Sequence, residues 1–213
     1  VPFATEQNGF AGNDPKLEFN GPLQVRHIGN MQEWLKKGYF TYAGRKNEPE
    51  AKFYSGECAM MTTSSAAYGT IKQNAKFKFA ESTLPYYADV VGAPQNTIIG
   101  GASLWVMSGK SKEEYKAVAK FFKFLSDPER QAVWHQTTGY LPITLEAYEL
   151  TKRSGFYENN PGTDVSVKQM IVKTTDKSRG IRLGNFVQIR DIVDEELESV
   201  WSGKKDAKTA LDE

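Results

Sequence analysis

The apolar positions of the chain repeat at helical spacing over much of its length, and short apolar runs and polar breaks separate the repeats. From Pro22 onward, Val25, Ile28, Met31, Trp34 and Leu35 recur on one helical face, and Gly38 follows as a stop. Residues 1–16, punctuated by Gly, Asn and Pro, read as loop. A short helix is expected from Pro49, a turn at Ser55-Gly56, a strand over 58–62, a helix from Ser65 to Asn74 and a second strand over 76–80. Residues 85–96 read as a connector.

The stretch Asn96 to Met107, NTIIGGASLWVM, looks like a strand on both sides of a glycine pair. Glycine weakens a strand because it has no side chain to pack, so the pair needs a reason. Beyond it, a helix is expected over Lys112–Leu125, on which Tyr115, Val118, Ala119, Phe122 and Leu125 form one face. Asp127-Pro128-Glu129 restarts a helix with Asp as cap and Pro in the first turn, and the sequence TTGYLPI ends it. Further helices are expected over 144–153, after the Asn/Pro/Gly-rich loop 155–162, and over Phe186–Trp201, with Asn185 as cap. Strands alternating with helices give an α/β class, with the connectors near 85–96 and 155–163 as crossing points between lobes.

Charge narrows the function. The 27 Lys and Arg nearly balance 26 Asp and Glu, which argues against nucleic acid as a partner. The single Cys58, inside Cys58-Ala59-Met60-Met61, reads as a small buried hydrophobe. His27 and His135 stand far apart with no metal-ligand spacing around them, and read as solvated or core-edge residues. The acidic run Asp194 to Glu198 reads as a solvated helix face. No nucleophile elbow or acid/base pair is recognisable, so neither a catalytic residue, a cofactor nor a metal is expected. Aromatic residues make up 12% of the chain, which leaves room for stacking on a flat ligand.

Four features suit an anion. Thr62-Thr63-Ser64-Ser65 opens a helix, where hydroxyls and unpaired N–H groups can meet a phosphate; an ordinary N-cap is the plain alternative. Gly100-Gly101 lets backbone approach a ligand closely, although a bulge would explain it as well. Tyr140, between Gly139 and Leu141-Pro142, sits on a stiff turn from which its phenol can donate, or it simply packs beneath a loop. Arg190 shares a stripe with Phe186, Val193 and Leu197, an odd place for a guanidinium unless it meets an anion or snorkels to water. Arg182, in GIRLGN, competes for the same role.

The segments FYSGECAMMTTSS, APQNTIIGGASLWVM, AVWHQTTGYLPIT and GIRLGNFVQIRDIVDEELESVWSGKK together resemble the bacterial ABC-importer solute-binding proteins. The resemblance covers essentially the whole chain. It implies a two-lobed α/β fold of the type II periplasmic-binding-protein kind, hinged like a clamp. By similarity, residues 1–92 belong to the second lobe, 93–160 return to the first, and 161–213 cross back. It also implies that members begin upstream, with a secretory leader and most of the first lobe, and run on past the position of Glu213.

The function so implied is that of a non-enzymatic periplasmic receptor. It would capture sn-glycerol 3-phosphate or glycerophosphodiesters and deliver them to a membrane permease, acting as a monomer when full length. A sugar-binding receptor of the same fold is the alternative. Carried over by similarity, the ligand contacts fall on Ser64, Gly101, Tyr140 and Arg190, the four places already picked out as anion-compatible.

Overall fold

The computed structural model describes residues 2–213. Where residues 1–16 read as loop, Thr5–Gly9 forms a short helical turn with Glu6, Gln7 and Asn8 at positive φ; the helices beyond it are α1 (Pro22–Lys36), α2 (Glu50–Tyr54), α3 (Tyr68–Asn74), α4 (Lys112–Leu125) and α5 (Pro128–Thr138). They continue with α6 (Leu145–Arg153), α7 (Phe156–Asn159), α8 (Val165–Met170), α9 (Phe186–Trp201) and α10 (Ala207–Asp212). Local chemistry sets their ends. Ser111 and Glu114 form a reciprocal capping box on α4, and the Asp127, Thr144 and Asp206 side chains cap α5, α6 and α10. Asn185 stands at the N-cap of α9 but in a left-handed conformation (φ 52°), and its side chain makes no capping bond.

The expected strands are corrected by the structure. Among the described residues the only β pairing is an isolated antiparallel bridge between Ala4 and Leu17. Residues 58–62, 76–80 and 96–107 form neither helix nor sheet. A strand is stabilised by its ladder, and an apolar run with no neighbour to bond has none. In the run 96–107 one backbone bond reaches another element, from Thr97 N–H to the Gln169 carbonyl (3.2 Å), while Ile99 and Trp105 are 76% and 86% exposed.

The chain divides into two compact units, one of residues up to Pro49 with Thr174–Glu213, the other of Glu50–Lys173. In the first, α1 and α10 pack on α9 and bury Val200, Ala207 and Ala210. The Gln32 amide donates to the carbonyls of Val200 and Lys205 (3.2 and 3.1 Å), tying α1 to the last turn of α9 and the loop that follows it. The acidic run of α9 is less solvated than its composition suggests. Glu198 accepts two bonds from Arg45 (2.7 and 2.6 Å) and one from Tyr42 (2.6 Å), and Glu196 pairs with Lys205. The Arg45 and Tyr42 hydrogen bonds hold the Glu198 carboxyl down at about 2.

In the second unit α5 and α6 pack most extensively, and Tyr148, Tyr157 and Val167 form a small core with Leu141 and Phe156 against it. Cys58 is half-buried rather than in the core. His135 is the larger correction, because it is neither solvated nor at an edge: only 2% of it is exposed. Among the described residues no helix is long and apolar enough to cross a membrane.

Candidate functional site

Within the second unit a corner forms where the start of α3 meets the end of α5. Ser64 caps the 3-10 turn Ser65–Ala67 that leads into α3; its Oγ accepts from the Ala66 N–H (3.3 Å). That bond uses a lone pair and leaves the hydroxyl proton of this exposed side chain to donate outward. On the facing side α5 ends at Gly139, whose N–H bonds the His135 carbonyl (2.9 Å) in a left-handed C-cap, φ 79°. A Cβ at Gly139 would lie 2.3 Å from the Ser65 carbonyl oxygen and 2.9 Å from Tyr68 Cβ. Glycine is therefore what allows the α5 end to seat on the α3 start, with Tyr140 and Ser64 each one residue along the chain from that contact.

Tyr140 is fixed by its backbone. Its N–H donates to Thr138 Oγ1 (3.2 Å), and its carbonyl lies 2.7 Å from His135 Nδ1. The phenol is 51% exposed and, among the described residues, has no hydrogen-bond partner. His135 Nε2 lies 2.9 Å from the Tyr157 hydroxyl. Because a carbonyl can only accept, Nδ1 carries the proton and Nε2 accepts from Tyr157. Burial lowers the His135 pKa, partly countered by the Tyr140 carbonyl, and burial raises that of Tyr157, so the pair is neutral with each proton in place.

The other expected contacts lie elsewhere. Gly101 is in the same unit, at φ 101°, with nothing within 4 Å of where a Cβ would stand. Arg190 belongs to the first unit, near the start of α9. Of the two readings its stripe allows, an anion met in an apolar seam or a stem snorkelling to water, the exposure agrees with the second: Arg190 has no ion-pair or hydrogen-bond partner among the described residues. Around it Phe186, Val187 and Ile192 are exposed as well, so this part of α9 is largely uncovered at Arg190. Arg182 is likewise exposed, but its N–H is tied to the Asn8 carbonyl (2.9 Å). Among the described residues no cluster of His, Cys, Asp and Glu could hold a metal ion.

Within the second unit, the exposed hydroxyls of Ser64 and Tyr140 are donors without an acceptor among the described residues, which suits them to an oxyanion. Residues 3–164 match the family described as bacterial extracellular solute-binding protein. The chain belongs to that family. It is 58% identical over all 213 of its residues to the sn-glycerol-3-phosphate-binding periplasmic protein UgpB of Pectobacterium atrosepticum, covering 48% of that protein. The same identity holds to the protein of that name from Salmonella typhimurium, of which it covers 49%. The chain thus spans about half the length of the curated relatives it matches. Its fold matches the crystal structure of UgpB from Mycobacterium tuberculosis in complex with glycerophosphocholine, with a TM-score of 0.71 at 21% identity over 92% of this chain and 48% of that one.

Proposed function

We propose that this chain is part of a periplasmic receptor of an ABC importer that captures sn-glycerol 3-phosphate or a glycerophosphodiester and hands it to a membrane permease. The observation that carries the reading is the corner itself. Ser64 and Tyr140 flank the contact of Gly139 with Ser65, each with a hydroxyl proton to give, in a chain 58% identical throughout to glycerol-3-phosphate-binding proteins. Arg190 supplies the cationic donor that a phosphate needs, through charge-assisted bonds that hydroxyls alone do not match. Gly101 offers its backbone N–H from the run 96–107.

The two-lobed α/β arrangement, with residues 1–92 and 161–213 in one lobe and 93–160 in the other, belongs to the same proposal, as does a monomeric state. In that arrangement ligand stabilises the closed state because it meets donors of both lobes only there. The role is binding rather than catalysis, since the corner offers donors but no base. Calorimetry on the full-length receptor with glycerol 3-phosphate, glycerophosphocholine and maltose tests it. Either phosphate ester should bind and maltose should not; tight maltose binding would make the protein a sugar receptor instead. Arg190→Ala should weaken phosphate-ester binding about a hundredfold with unchanged thermal unfolding, and a loss of under about fivefold would remove Arg190 from the site.

A further inference from the structure

The proposed contacts leave a buried polar pair unexplained. His135 and Tyr157 are 2% and 8% exposed and bond one another at 2.9 Å beneath the corner, yet neither presents a polar atom to the surface where Ser64 and Tyr140 donate. Burying an imidazole is costly unless both nitrogens are satisfied. Here both are, and the second partner is the backbone carbonyl of Tyr140 itself (2.7 Å).

We infer that His135 is a positioning residue for ligand capture, and that it acts through the Tyr140 backbone rather than on the ligand. The inference rests on the reading of Tyr140 as a ligand donor. Three constraints meet on the turn 139–142: the left-handed Gly139 seated on Ser65, the Thr138 hydroxyl under the Tyr140 N–H, and the His135 Nδ1–H under the Tyr140 carbonyl. The first two fix where the peptide enters Tyr140, and the third fixes the plane in which it leaves. With that plane set, the Cα–Cβ direction is set, and the positions the phenol oxygen can reach narrow to those of a few side-chain rotamers before any ligand arrives. The His135 ring is held in turn by the Tyr157 hydroxyl and by aromatic rings of Phe156 and Tyr157, with centroids 6.2 and 5.8 Å away. Tyr157 also packs against Tyr148 in the core of the unit, so the chain of contacts runs from a ligand donor into the unit's most buried cluster.

The two amide side chains separate this role from mere core filling. Asn carries its amide nitrogen where Nδ1 lies and can still serve the Tyr140 carbonyl, whereas Gln reaches toward the Nε2 position and serves Tyr157 instead. In the full-length receptor, His135→Gln should weaken glycerol 3-phosphate binding about tenfold, while His135→Asn should stay within about threefold of the parent even if both lower the unfolding temperature alike. When Tyr140 is already Phe, adding His135→Gln should cost less than about twofold more, because nothing remains to aim. Equal losses for the two amides, or a full additional loss in the Tyr140→Phe background, would overturn the positioning role. If Tyr140→Phe alone binds like the parent, the reading of Tyr140 as a ligand donor fails, and this inference with it. If Tyr140→Phe weakens binding and His135→Gln does not, the inference alone fails.

Discussion

The corner at 139–142 and the run at 96–107 each turn on a glycine at positive φ, 79° at Gly139 and 101° at Gly101, and each carries an expected ligand contact. Their surroundings differ completely. Around Gly139 a Cβ would strike the Ser65 carbonyl at 2.3 Å, and the next residue is bonded through both its N–H and its carbonyl. Around Gly101 there is open space to 4 Å, and Trp105 and Met107 are 86% and 72% exposed. The corner is built by residues close in sequence, 135–142, clamped on a single distant turn. The run would need neighbours along its whole length. A donor's direction is as fixed as the groups behind it, so Tyr140 is preorganised and the Gly101 N–H is not.

The largest effect expected from breaking this contrast is at Gly139. Ala there must accept a left-handed backbone and push a carbonyl oxygen away, so Gly139→Ala should destabilise the Glu50–Lys173 unit by about 3 kcal/mol. Urea unfolding followed by far-UV circular dichroism measures it. A loss below about 1 kcal/mol would mean that the α5 end is not seated on the α3 start as described.

A smaller effect sharpens the contrast at Glu81, on the stretch that follows Phe79, whose ring lies 6.0 Å from that of Tyr68. The Glu81 carboxylate is half-buried, has no hydrogen-bond or ion-pair partner among the described residues, and shares its surroundings with Asp164, which is held by Lys168 at 2.5 Å. Burial and the Asp164 charge push its pKa up from 4.5 to about 7. Between those values the folded unit holds a proton that the unfolded chain has released. Stability therefore falls as pH rises through this window, and the whole cost is present above pH 7. Partial exposure screens that cost, so Glu81→Gln should stabilise the unit by about 1 kcal/mol at pH 8 and by almost nothing at pH 4. Equal effects at the two pH values would show that the charge is not what the site disfavours.

Helices were legible because their signals are local. The Asp127 cap, the capping box at Ser111 and the face of α1 from Val25 to Leu35 are written within a turn or two of where they act. The short apolar runs at 58–62, 76–80 and 96–107 predict strands, but such a run cannot say whether a neighbour is there to bond. His135 was misjudged for a related reason. A histidine is polar at both ring nitrogens, and its burial depends on Tyr157, 22 residues on, to satisfy the second one. A signal was present all the same: His135 is three positions from buried Ala132 on α5 and one turn before the Gly139 cap, on the inward face. Arg190 shares an apolar stripe by helical periodicity, but periodicity gives the face and not where along the helix its cover begins. On α9 Phe186, Val187, Arg190 and Ile192 are exposed, and half-buried positions cluster from Val193 onward.

The smallest expected effect lies at Gly101, and its smallness is the point. A side chain at φ 101° is strained, but a run with so few tertiary bonds can rotate the strain away. In the chain of residues 1–213, Gly101→Ala should change unfolding free energy by less than about 0.5 kcal/mol, against about 3 for Gly139→Ala. In the full-length receptor, where the proposal has this run pressed on ligand, the same substitution should weaken glycerol 3-phosphate binding by about tenfold or more, read by calorimetry. Parent-like affinity there would take Gly101 out of the proposed contact set. A large destabilisation of the 1–213 chain would mean instead that the run is held in place by more than the Thr97 to Gln169 bond, and the two glycines would then be alike after all.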